Sequence, residues 1–125
     1  MAATPSSPKP STAELPILQA SLELVRWFIP ILHRLPRQHR FGLGDRLIAN
    51  LYDLIEQLAL ARFRQDKLSV LEPLSGRIHL IQLQTRLLYD FSLINLRRLE
   101  HASRLIAIIS RQHNGWLAQQ RSSVG

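Results

Sequence analysis

The 125-residue chain contains no cysteine, which excludes disulfides and thiolate metal ligands and fits a reducing compartment. Aromatic residues make up only 6%, so an apolar interior has to be built from Leu and Ile. No uninterrupted apolar run approaches the ~20 residues that cross a bilayer. The opening stretch MAATPSSPKPSTA holds no apolar segment of signal-peptide type. These absences predict a soluble, cytoplasmic protein without membrane association. Lysine is nearly missing as well: of 16 basic residues only Lys9 and Lys67 are lysines.

What is abundant is arginine. With nine acids against 16 bases the net charge is +7 and the pI is near 11.3. Such an imbalance speaks to partners and solubility rather than to fold. The planar guanidinium fork suits phosphate and carboxylate, so a polyanion or an acidic protein face is the expected partner. A GC-rich genome produces the same arginine bias, and composition alone leaves the two explanations level.

The length allows one domain. Residues 1–13 are Pro, Ser, Thr and Ala with one Lys, too little apolar area to offset ordering entropy, and are expected to form a disordered tail. Residues 14–120 are expected to fold and residues 121–125 to fray. In the first helix Leu15, Leu18, Leu22, Val25, Ile29 and Leu32 recur at steps of three and four, the signature of one helical face. Pro30 predicts a kink near Arg26–Ile29, and Leu35-Pro36 ends the element. The stretch Pro36–Arg46 reads as a loop, with Gly42 as N-cap of a second helix along Leu47, Leu51, Leu54, Leu58 and Ala61.

Asp66 is the expected N-cap of a third helix, whose seam is Leu71, Leu74, Ile78, Ile81, Thr85 and Leu88. A second stripe of Leu80, Leu83, Leu87, Phe91 and Ile94 predicts cover on two sides, by close neighbours or by another subunit. Asn95 suits the following cap, and a fourth helix shows Leu99, Ala102, Ile106, Ile109, His113 and Trp116 before fraying from Gln119. No strand pattern interrupts this series. The prediction is an all-α fold, an antiparallel up-down-up-down four-helix bundle.

The positive charge is uneven. The second and third helices each carry three bases and three acids, whereas Arg34, Arg37 and Arg40 give the segment His33–Phe41 a charge of +3. Between Arg97 and Arg121 five arginines face Glu100 alone. Arg97, Arg104 and Arg111 repeat every seven residues, so they point the same way about 10.5 Å apart, with His101 on the same face. Such a stripe fits a phosphate backbone, while a solvated face is the plainer explanation for any single arginine. No aromatic residue interleaves with these arginines in the sequence, which argues against a stacking platform for single strands. Arg86 either pairs with Asp90 on the surface or is partly buried at an interface.

Tests for catalysis largely fail. The five histidines form no metal motif, no cofactor signature is present, and no nucleophile, base and carboxylate stand at a defensible spacing. His113, on the apolar seam, reads as a core or interface histidine. One alternative is that Arg34 and His39 resemble the R-x4-H motif of the helical HEPN ribonucleases, although Pro36 interrupts the helix there.

Four segments carry a family resemblance. Leu35-Pro36-Arg37-Gln38-His39-Arg40-Phe41-Gly42-Leu43-Gly44-Asp45-Arg46 resembles the FPRxxRFxLGxR segment ahead of helix 2 in the accessory variability (Avd) proteins of diversity-generating retroelements. Thr85–Asp90 is similar to that family's helix 3, and Leu96–Leu105 and Gly115-Trp116-Leu117 to the opening and close of its helix 4. The pattern departs where Ile108 stands for an acid, Ser110 for a glycine and His113 for an apolar residue. The family shares the fold of the ribosomal intervening-sequence proteins. The resemblance implies a non-catalytic homopentamer that binds a reverse transcriptase and RNA or DNA during mutagenic cDNA synthesis. Matched by position, Arg37, Arg40, Arg46 and Arg86 are implied contact residues. Together with Arg34, Arg97, His101, Arg104 and Arg111 they form the candidate site. An RNA- or ribosome-associated interaction bundle without a retroelement is the alternative reading.

Overall fold

The computed structural model describes residues 14–124, with side chains from Pro16 to Ser123. The expected tail, residues 1–13, lies outside the described residues. Four long helices account for nearly all of them: α1 (Glu14–His33), α2 (Asp45–Ala61), α3 (Leu68–Asp90) and α4 (Leu96–Val124). No strand occurs among the described residues. Each helix packs on its two neighbours around a ring, α1 on α2 and α4, and α3 on α2 and α4. Short connections make successive helices antiparallel, giving the four-helix bundle that the periodicity predicts.

The α2, α3 and α4 seams are buried as read, from Leu47 to Ala61, from Leu71 to Leu88 and from Ala102 to Trp116. In α1 the buried line is rotated. It runs through Ile17, Ser21, Leu24, Phe28 and Leu32 with Val25, while Leu18, Leu22 and Ile29 are only half-buried. Gln19, Glu23 and Arg26 mark one exposed side of α1 and apolar residues fill the rest, too wide an arc for periodicity alone to fix the innermost line. The helix continues past Pro30, whose ring lies on an exposed position, as far as His33. At the other end of the chain α4 stays helical to Val124, beyond the expected fraying point, and Arg121 reaches Glu72 of α3 at 3.1 Å.

The expected loop from Pro36 to Arg46 is not a loop. Pro36 starts a helical turn at Arg37–His39, with the amides of His39 and Arg40 both donating to its carbonyl at 2.9 Å. A π-helical turn follows over Arg40–Gly44, closed by the Asp45 amide donating to the Arg40 carbonyl five residues back. The chain passes straight into α2, so Gly42 is not an N-cap. Pro36 is the N-cap, with φ −52° and ψ 144°, and its missing amide donor costs nothing there because the first amides of a helix have no partner within it.

Side chains serve the starts of α3 and α4 and the end of α2. Asp66 Oδ1 accepts from the Ser69 amide at 3.2 Å, and Asn95 Oδ1 from the Arg98 amide at 2.9 Å. Lys67 Nζ donates to the carbonyls of Ala61, Arg62 and Arg64 at 2.8–3.1 Å, placing a cation on the negative end of α2.

A candidate nucleic-acid interface

Because α4 buries Ala102, Ile106, Ile109 and His113, its opposite side is left to solvent, and the heptad arginines stand there. Arg97, Arg104 and Arg111 are exposed, and none of them forms an ion pair among the described residues. Glu100, the one acid within this span, neutralises none of them by an ion pair. An uncompensated guanidinium row on a rigid helix costs little in water and is ready to exchange counterions for phosphates.

His101 differs from its neighbours. It is half-buried, and its ring meets that of Trp27, on α1, with centroids 4.8 Å apart and planes at 48°. Trp27, His101, Arg97, Arg98 and Arg104 line a surface cleft of about 320 Å³ without a carboxylate among them. The expectation that no aromatic residue accompanies the stripe is therefore corrected. Trp27 is brought to it from another helix, a neighbour that spacing within α4 cannot reveal. Arg98 was missed for a simpler reason: it lies one position off the heptad.

The arginines of the α1–α2 connection gather at a second place. Helical turns carry Arg37 and Arg40 back over the exposed ring of Phe41, with guanidinium carbons 5.9 Å and 4.8 Å from its centroid. His39 stacks on Phe91, at the end of α3, at 5.8 Å and 26°. Arg34 and Arg46 are exposed on either side of this turn. Arg86 is not buried: its Nε donates to Asp90 Oδ1 at 3.0 Å across an exposed i,i+4 step. Its charge is already partly met, and such a pair contributes little stability. The candidate residues thus divide into the α4 row, the Phe41 turn and Arg86 on α3.

Among the described residues no group of three or more His, Cys, Asp or Glu is placed to hold a metal, and no helix is long and apolar enough to cross a membrane. No curated protein matches the chain. The family model described as bAvd-like matches residues 15–120, the whole bundle from α1 to the last turns of α4. The chain belongs to the bAvd-like family.

Proposed function

We propose that this protein is a non-catalytic accessory factor of a diversity-generating retroelement, binding the reverse transcriptase and RNA or DNA as a homopentamer in the cytoplasm. The observation that carries the nucleic-acid part is the solvent-facing row of Arg97, Arg104 and Arg111, left without carboxylate partners among the described residues. The Arg37, Arg40 and Phe41 cluster, with Arg34 and Arg46 beside it, supplies a second basic face for nucleic acid or for the transcriptase. Assembly is supported by the uncovered apolar stripe of α3, where Leu80, Leu83, Leu87 and Phe91 remain exposed in the single chain. Membership of the bAvd-like family supports the retroelement setting.

The test is a salt titration of RNA binding by the native protein and by a variant carrying Arg97→Ala, Arg104→Ala and Arg111→Ala. Three lost phosphate contacts should weaken binding and lower the slope of log K against log salt by about 2 for a single strand. Unchanged affinity and slope would refute the assignment. Co-purification with a reverse transcriptase encoded nearby tests the partner, and failure to retain it overturns that part of the reading.

A further inference from the structure

The cleft at the start of α4 holds more than charge. An arginine row alone suffices for a duplex, whose outer surface is phosphate and whose bases are stacked inside. Here two rings in mutual contact, Trp27 and His101, line the cleft together with Arg97, Arg98 and Arg104. Trp27 is half-buried, so one part of the indole is held by the bundle and another lines the cleft. The volume of about 320 Å³ falls at the small end of sites that enclose an organic ligand. Aromatic rings beside backbone-tracking arginines are the arrangement that takes a splayed base together with its phosphates.

We propose that this cleft receives one unpaired base of a single-stranded nucleic acid, packed against Trp27 and His101, with the adjoining phosphates on Arg97, Arg98 and Arg104. The inference rests on the nucleic-acid reading above and sharpens it: the ligand is single-stranded, and the contact is made to a base as well as to the backbone. An acidic peptide would use the arginines and leave the rings without a planar partner.

Indole fluorescence gives a direct readout, because Trp116 is 1% exposed and a ligand arriving from outside reports on Trp27. The full chain is titrated with a twelve-nucleotide oligouridine, an abasic phosphodiester of the same length, a twelve-base-pair RNA duplex and polyglutamate. Oligouridine is expected to quench the emission and to bind about tenfold or more tighter than the abasic strand. Trp27→Leu should abolish the quenching and bring oligouridine down to the abasic level. Arg98→Gln, at an exposed position that does not threaten folding, should weaken both strands. Equal binding of oligouridine and abasic strand without an emission change overturns the cleft proposal and leaves the charge reading standing. Preference for the duplex or for polyglutamate overturns it too. If none of the nucleic acids binds, the underlying reading falls with it.

Discussion

His113 of α4 donates its Nε2–H to the backbone carbonyl of Leu71 in α3 at 2.6 Å, a side-chain bond between two helices inside the core. The carbonyl can only accept, so the ring carries a proton on Nε2 in this arrangement. The imidazole stands on the otherwise apolar seam of α4, and the bond to Leu71 satisfies its polar edge there.

Burial holds the His113 pKa below its ordinary value of 6.5, the bond to Leu71 opposing that shift and the positive charge of Arg121 adding to it. Since the folded pKa is the lower one, the unfolded chain takes up the proton more readily. The contribution to stability is complete above 6.5 and is lost as pH falls through the folded pKa. The melting temperature should therefore decline between neutral pH and pH 5. His113→Gln, which keeps a donor but does not titrate, should flatten that decline while lowering stability at neutral pH by roughly 1–2 kcal/mol. An identical acid profile in the two proteins would place the sensitivity elsewhere.

The two glycines of the π-helical turn should respond in opposite ways to alanine. A Cβ on Gly44 would stand 3.2 Å from the His39 carbonyl oxygen and 3.2 Å from Leu35 Cδ1, both of which belong to the packed turn. Gly42 has nothing within 4 Å of the same position, and neither glycine needs a positive φ. Gly44→Ala should destabilise by about 1 kcal/mol through displaced backbone, a small case of overpacking. Gly42→Ala should be neutral or stabilising by up to about 1 kcal/mol, because it restricts the unfolded chain. Urea midpoints of the two variants settle the ordering.

A polar bridge ties α2 to α3. Arg77 Nη1 donates to Asn50 Oδ1 at 2.7 Å and to Asp53 Oδ2 at 3.1 Å, and Asn50 Nδ2 donates to the buried Gln84 Oε1 at 2.9 Å. Asn50 is the shared member, accepting from one partner and donating to the other. Asn50→Ala should cost about 1–3 kcal/mol, since it leaves the Gln84 oxygen without its donor in a dry setting. Asp53→Ala should cost well under 1 kcal/mol, because that carboxylate meets Arg77 at a half-exposed site. Chemical denaturation would expose an error if the two losses were equal.

How far the sequence foretold this molecule depended on where polar residues stood. Helix α2 alternates its leucine seam with Asn50, Asp53, Glu56 and Gln57, so only one face could be inward, and Leu47 to Ala61 were legible. In α1 the exposed Gln19, Glu23 and Arg26 mark only the outward side, and which of the many apolar residues lie innermost, Ile17, Leu24 and Phe28 among them, emerged only from packing. Pro36, Gly42 and Gly44 have the composition of a loop, yet i−5 hydrogen bonding gives helix without a 3.6-residue signature. The arginine row of α4 needed only its own heptad to be seen. Trp27 required knowing how α1 sits against α4, and no local pattern contains that.

The apolar stripe on α3 makes the last prediction. Leu80, Leu83, Leu87 and Phe91 are 43%, 49%, 41% and 55% exposed, and they share one side of the helix, turned away from the seam of Ile78, Ile81, Thr85 and Leu88. His39 stacked on Phe91 carries that surface onto the turn ahead of α2. A row of large side chains left in water on a bundle this small favours association, at roughly 25 cal/mol for each Å² of apolar area covered. Leu83→Glu combined with Leu87→Glu should convert the proposed homopentamer to single chains in light scattering. It should leave helical circular dichroism intact, since neither residue belongs to the buried core. If the doubly charged variant keeps the native mass in solution, this stripe does not carry the proposed subunit contact.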